Sequence, residues 1–89
     1  MMLSVTIAGT EFFLEIGRVN RSPNDVVKIV ILDNKVIAEA TSEPAIPLAN
    51  ALMDTDYSNK ILEQFNDGDT LWVSVSDHQF HHSRSYHVN

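Results

Sequence analysis

Four histidines, His78, His81, His82 and His87, fall in the final segment DHQFHHSRSYHVN, and none occurs before it. Imidazole is the commonest protein ligand for zinc and related metals, so this segment is where metal chemistry would be sought first. In an extended strand alternate side chains share a face, which sets His78 with His82 on one side and His81 with His87 on the other. At most pairs converge, Asp77 is the one nearby carboxylate, and neither finger nor zincin spacing is present. The expectation is therefore no dedicated metal site and no cofactor. If the chain were instead a histidine-dependent metal-binding protein or metalloenzyme, these four residues would hold the ion.

Other constellations are weaker still. Asp54, Asp56 and Ser58 have the alternate spacing of the first oxygen ligands of an EF-hand loop, but Asn59 stands where the sharp-turn glycine belongs and Phe65 where the bidentate glutamate is needed. Capping of a helix accounts for these residues better. Ser83, His82 and Asp77 supply the residue types of a hydrolytic triad without any local arrangement that would join them. With Gly9, Gly17 and Gly68 the only glycines, no glycine-rich phosphate loop can be formed. Arg18 and Arg21 are the one close pair of cations and read as part of a solvated loop. No catalytic residue is assigned, and the chain is not expected to be an enzyme.

Composition narrows the remaining classes. Eighty-nine residues make one domain, residues 1–89, with room for a single core. Apolar content of 44% against 20% charged is that of a folding chain rather than a disordered one. Twelve acidic and six basic residues give a net charge of −6, which repels a phosphate backbone, so direct nucleic-acid binding is not expected. The same charge suits a protein partner with a basic surface. The opening MMLSVTIAGT lacks a basic leader and an unbroken apolar core, and no run approaches a membrane span. No cysteine is present, which fits a reducing compartment, so the expected location is cytoplasmic.

The elements that must position any site can be read from turn chemistry and alternation. Asp33-Asn34 suits a type I′ loop, since both types tolerate positive φ. Pairing then runs outward from Leu32 opposite Lys35 to Lys28 opposite Glu39 and Val27 opposite Ala40, and this hairpin is read as the centre of the sheet. Its first strand is apolar on both faces apart from Lys28, so each face needs a cover. Residues 3–16 are read as a second hairpin with Gly9-Thr10 as a type II′ loop, setting Ile7 against Phe12, Val5 against Leu14 and Leu3 against Ile16.

From Ser42-Glu43-Pro44 the period becomes helical, with Ile46, Ala49 and Met53 recurring, Leu48 and Leu52 beside them, and Pro47 shortening the run. A second helix is capped by Thr55 or Asp56, packs Tyr57, Ile61 and Phe65 on the sheet, leaves Asn59, Lys60, Glu63 and Gln64 to solvent, and ends at Asn66-Asp67-Gly68. Thr70 to Ser76 alternates as a strand, with Leu71, Val73 and Val75 on one face and Trp72 on the other. A turn at Asp77-His78 would return the tail along it, with Val75 meeting Phe80 and Val73 meeting His82.

The expected fold is α+β: a mainly antiparallel sheet of five to six strands in three hairpins, with a helical segment inserted before the last hairpin. In these registers Phe13, Val30, Ile37 and Trp72 lie on the face opposite the core, and one helical layer cannot cover both faces. An apolar patch with aromatic anchors and few charges is the pattern of a protein-interaction surface. The function expected is a non-enzymatic protein-binding module acting as a homodimer, with those four residues at the interface. One concrete form is a small acidic inhibitor of a nucleic-acid-handling protein, of the kind phages encode. A small-ligand binder with a pocket between sheet and helix is a further alternative.

Overall fold

Asp33 and Asn34 adopt φ of 53° and 61°, the two positive values a type I′ loop requires. The strands they join, β3 (Asp25–Leu32) and β4 (Lys35–Ala40), pair in the register expected from the turn, through all six pairs from Leu32–Lys35 to Val27–Ala40. The computed structural model describes residues 1–18 and 21–75 of the chain. Within them the fold is α+β. Five antiparallel strands carry two helices, in the sheet order β1-β2-β5-β3-β4, where β1 is Met2–Ile7, β2 is Thr10–Gly17 and β5 is Thr70–Val75.

That order corrects the expectation that the β3–β4 hairpin is the centre. The middle strand is β5, and β4 is an edge. Val73 of β5 faces Ile16 of β2 on one side and Val27 of β3 on the other. Burying a short strand between two longer ones satisfies its backbone groups on both sides and places Leu71 and Val73 fully out of solvent. The edge on which Val73 was expected to meet His82 is therefore already taken. His82 and Phe80 themselves lie outside the described residues.

The N-terminal hairpin also differs from expectation. Its loop is Ala8-Gly9, with φ of 50° and 84°, another type I′ turn, and Ile7 pairs with Thr10, Val5 with Phe12 and Leu3 with Leu14. The pairing is shifted by two residues from the expected Ile7–Phe12 register. Side chains alternate with period 2, so such a slip keeps every residue on its face and changes only its neighbours. Leu3, Val5, Phe12, Leu14 and Ile16 accordingly remain in the core.

A 3₁₀ turn at Glu43–Ala45 leads into α1 (Ile46–Leu52), and α2 (Thr55–Gln64) follows after a short bend. In α1 the buried stripe is Leu48, Ala49 and Leu52, whereas Ile46 and Met53 are exposed, the reverse of the expected emphasis. Leu48 and Leu52 stand one turn apart on the same side of the helix and meet the sheet together, with Ala49 beside them. The cap of α2 is Asp54, whose side chain accepts from the Asp56 amide at 3.2 Å, so the calcium-like spacing is a helix cap. Asn59, Lys60, Glu63 and Gln64 are exposed as expected.

Both helices cover one face. Leu48, Leu52 and Ile61 pack with Leu14, Ile16, Ile29, Ile31, Leu71 and Val73 in one cluster. Helix α1 lies against β4 and β1, the two edge strands, so the sheet curls toward it. Among the described residues no helix is long and apolar enough to cross a membrane.

Candidate functional site

The face that the helices leave uncovered carries all four residues expected at an interface. Their positions follow from pairing. Val30 sits directly opposite Ile37, and on the other side of β3 it faces Thr70. Trp72 pairs with Lys28, two residues along β3 from Val30, which makes Trp72 a diagonal neighbour of Val30 at about 7–8 Å. Ile37, Val30 and Trp72 thus form one contiguous patch, with Lys28 and its partner Glu39 along its side. Ile37 is 38% exposed, while Val30 and Trp72 are half-buried.

Phe13 is on the same face but apart from the patch. It is 39% exposed and pairs with Ser4 of β1. Gly17, not Phe13, is the β2 residue opposite Trp72. Four residues of strand separate Phe13 from that position, roughly 13 Å, with Glu15 and Ser74 between. Glu11 and Glu15 flank Phe13 on the same side of β2, and the Ser4 hydroxyl donates to Glu11 Oε2 at 2.6 Å. The site consists of one larger apolar patch and one outlying aromatic with an acidic surround.

The loop between β2 and β3 contributes to this face in a way that sequence reasoning missed. Arg21 is exposed, as expected of a solvated loop, and its guanidinium also lies 4.6 Å over the Trp72 ring. A polar latch holds the loop there: Asp25 accepts from the Ser22 amide at 2.6 Å, the Ser22 hydroxyl at 2.9 Å and the Ser74 hydroxyl of β5 at 2.8 Å. At that point β3 bulges, since Asp25 faces Ser74 and Val27 faces Val73, and the Thr41 amide and hydroxyl both donate to the Val26 carbonyl. Ser-x-x-Asp spacing before a strand was the available signal for the latch.

Arg18 is likewise engaged. It donates to Asp69 at 3.0 Å and lies 5.5 Å over the Phe65 ring. The Asn66 amide, which donates to the Asp69 carboxylate at 2.9 Å, and then Arg18 hold the Asp69 carboxyl below the usual range. This pair ties the start of the β2–β3 loop to the turn that precedes β5, at the end of the helical layer.

Metal and hydrolytic chemistry gain no support. His78, His81, His82 and His87, with Asp77 and Ser83, lie outside the described residues. Among the described residues no group of three or more histidine, aspartate or glutamate side chains is placed to hold a metal ion. Comparison with family models, curated proteins and solved structures finds no match to the chain.

Proposed function

We propose that the chain is a non-enzymatic protein-binding module that engages a partner through the uncovered face of its sheet, with Ile37, Val30 and Trp72 as the apolar centre and Phe13 as a second anchor. The observation that carries this reading is the asymmetry of cover among the described residues. The core face of β3 is fully buried at Ile29 and Ile31, yet the opposite face of the same hairpin presents Ile37 and Leu32 to solvent. Removing such side chains from water contributes roughly 25 cal/mol per Å², and aromatic and large aliphatic anchors carry most of the energy of a typical interface.

Charge suggests the kind of partner. Glu11 beside Phe13 favours a basic contact, Glu15 being paired with the Met1 amine at 3.0 Å; this is in keeping with the net charge of −6, and a nucleic-acid-handling protein would present such a surface. The test is capture of a partner from native lysate by the tagged parent and by an Ile37→Glu variant of equal thermal stability. Retention by the parent and loss by the variant supports the reading; equal retention rejects it.

A further inference from the structure

Strand β2 runs further than the strand beside it. Its last pair with β5 is Leu14–Val75, while β2 itself begins at Thr10, so among the described residues no strand lies against Thr10–Phe13 on the side away from β1. Across β5, β3 starts only at Asp25, opposite Ser74. A chain that leaves Val75 in line therefore has β2 alone for a neighbour.

Backbone direction along this stretch follows from the ladder on its other side. The Ile16 amide donates to the Met1 carbonyl at 2.8 Å and the Met1 amine to the Ile16 carbonyl at 2.9 Å, a hydrogen-bonded pair. Such pairs alternate, so Leu14, Phe12 and Thr10 also turn their backbone groups to β1. Gly17, Glu15, Phe13 and Glu11 turn theirs toward β5 and its line. Gly17 and Glu15 meet Trp72 and Ser74 there. Carried past Val75, the same register sets Ser76 opposite Phe13, Asp77 opposite Phe12, His78 opposite Glu11 and Gln79 opposite Thr10.

We propose that the chain beyond Val75 continues β5 along Thr10–Phe13, with Ser76–Gln79 as the occupant of the open side of β2. Connectivity favours this occupant, because Val75 is already seated at the start of the open stretch and the pairing needs no loop to close. Length suffices: residues 76–89 follow, and four extended residues cover roughly 13 Å. Charge agrees, since Asp77 and Arg84 cancel within 76–89 and the whole net charge of −6 lies on residues 1–75, so the segment meets none of the repulsion that a second copy would. Side chains agree as well. Glu11 is exposed and its Oε2 accepts from Ser4 at 2.6 Å, which leaves Oε1 without a partner among the described residues and ready for an imidazole N–H of His78. The consequence for partner binding rests on the protein-binding reading: the segment occupies the acidic surround of Phe13 that a basic partner would otherwise meet.

Proton NMR on the whole chain reads the pairing with no partner present, so it is judged apart from the protein-binding reading. Phe12–Asp77 and Thr10–Gln79 fall at non-hydrogen-bonded positions, where Cα atoms approach to about 4.5 Å, and Hα–Hα nuclear Overhauser contacts are expected within both pairs. The Glu11 amide is expected to exchange about tenfold or more slowly in the parent than in His78→Pro, where the ladder loses a donor. Ser85→Pro, beyond the pairing, is expected to leave that exchange as in the parent. Absence of the Phe12–Asp77 contact, or Glu11 exchange that His78→Pro leaves unchanged, overturns the proposal. Contacts found only between differently labelled chains in a mixed sample assign the open side of β2 to a second copy and also overturn it.

Discussion

The Arg21 guanidinium stands 4.6 Å over the ring of Trp72, so one side of the only tryptophan is covered by a cation from a loop. The contact depends on the Asp25 latch to Ser22 and Ser74. Arg21→Ala is expected to shift Trp72 emission to longer wavelength and to cost about 0.5–1 kcal/mol in chemical denaturation. An unchanged spectrum would mean that the stacking is not maintained in solution.

Ala8 occupies the left-handed region at φ 50°, which costs an L-residue with a Cβ roughly 1–2 kcal/mol. Ala8→Asn places a residue that tolerates this conformation ahead of Gly9, the preferred type I′ pair. We expect the variant to gain up to about 1 kcal/mol of stability. A loss would favour the loop at Gly9-Thr10, where position 8 belongs to the strand.

The contrast between the two hairpins shows what can be read from this chain. Asp33-Asn34 advertises positive φ at both turn positions, so register and pairing follow from the turn itself. Ala8 carries no such signal, and a two-residue slip leaves the same faces apolar, so alternation alone gives the core without the neighbours. The insertion of β5 between β2 and β3 is a non-local choice, and no local pattern in TLWVSV specifies which strands flank it. The face shared by Phe13, Val30, Ile37 and Trp72 was legible because parity survives those errors; the separation of Phe13 from the other three was not, because it depends on the β2–β5 register. Arg21 was missed because its partner lies 51 residues away in sequence, from Arg21 to Trp72.

Ile31 is fully buried and Lys28 is half-buried opposite Glu39. Ile31→Asp sets an unpaired carboxylate in the core and is expected to unfold a domain whose total stability is on the order of 5–15 kcal/mol. Lys28→Glu sets like charges across the pair and is expected to cost only about 0.2–1 kcal/mol. Urea titration separates the two, and parent-like midpoints for both would place the β3–β4 hairpin outside the cooperative core.

The Asp69 carboxyl is held below its ordinary value by the Asn66 amide and Arg18. A depressed folded pKa means that the unfolded chain takes up the proton first. The stabilisation is therefore present above the ordinary carboxylate pKa, about 4, and is lost as pH falls through the folded value. The stability difference between the parent and Asp69→Asn should be largest near neutral pH and shrink below about pH 4. A difference that grows on acidification would contradict this sign.

The most direct test of the uncovered face is the affinity of the captured partner for three purified proteins: parent, Ile37→Glu and Met53→Glu. Met53 is 41% exposed at the end of α1, so it controls for the addition of charge at an exposed apolar residue on the helical side. The account predicts a loss of about tenfold or more, roughly 1.4 kcal/mol, for Ile37→Glu and parent-like binding for Met53→Glu. Equal affinities for all three proteins, or a loss confined to Met53→Glu, would contradict it.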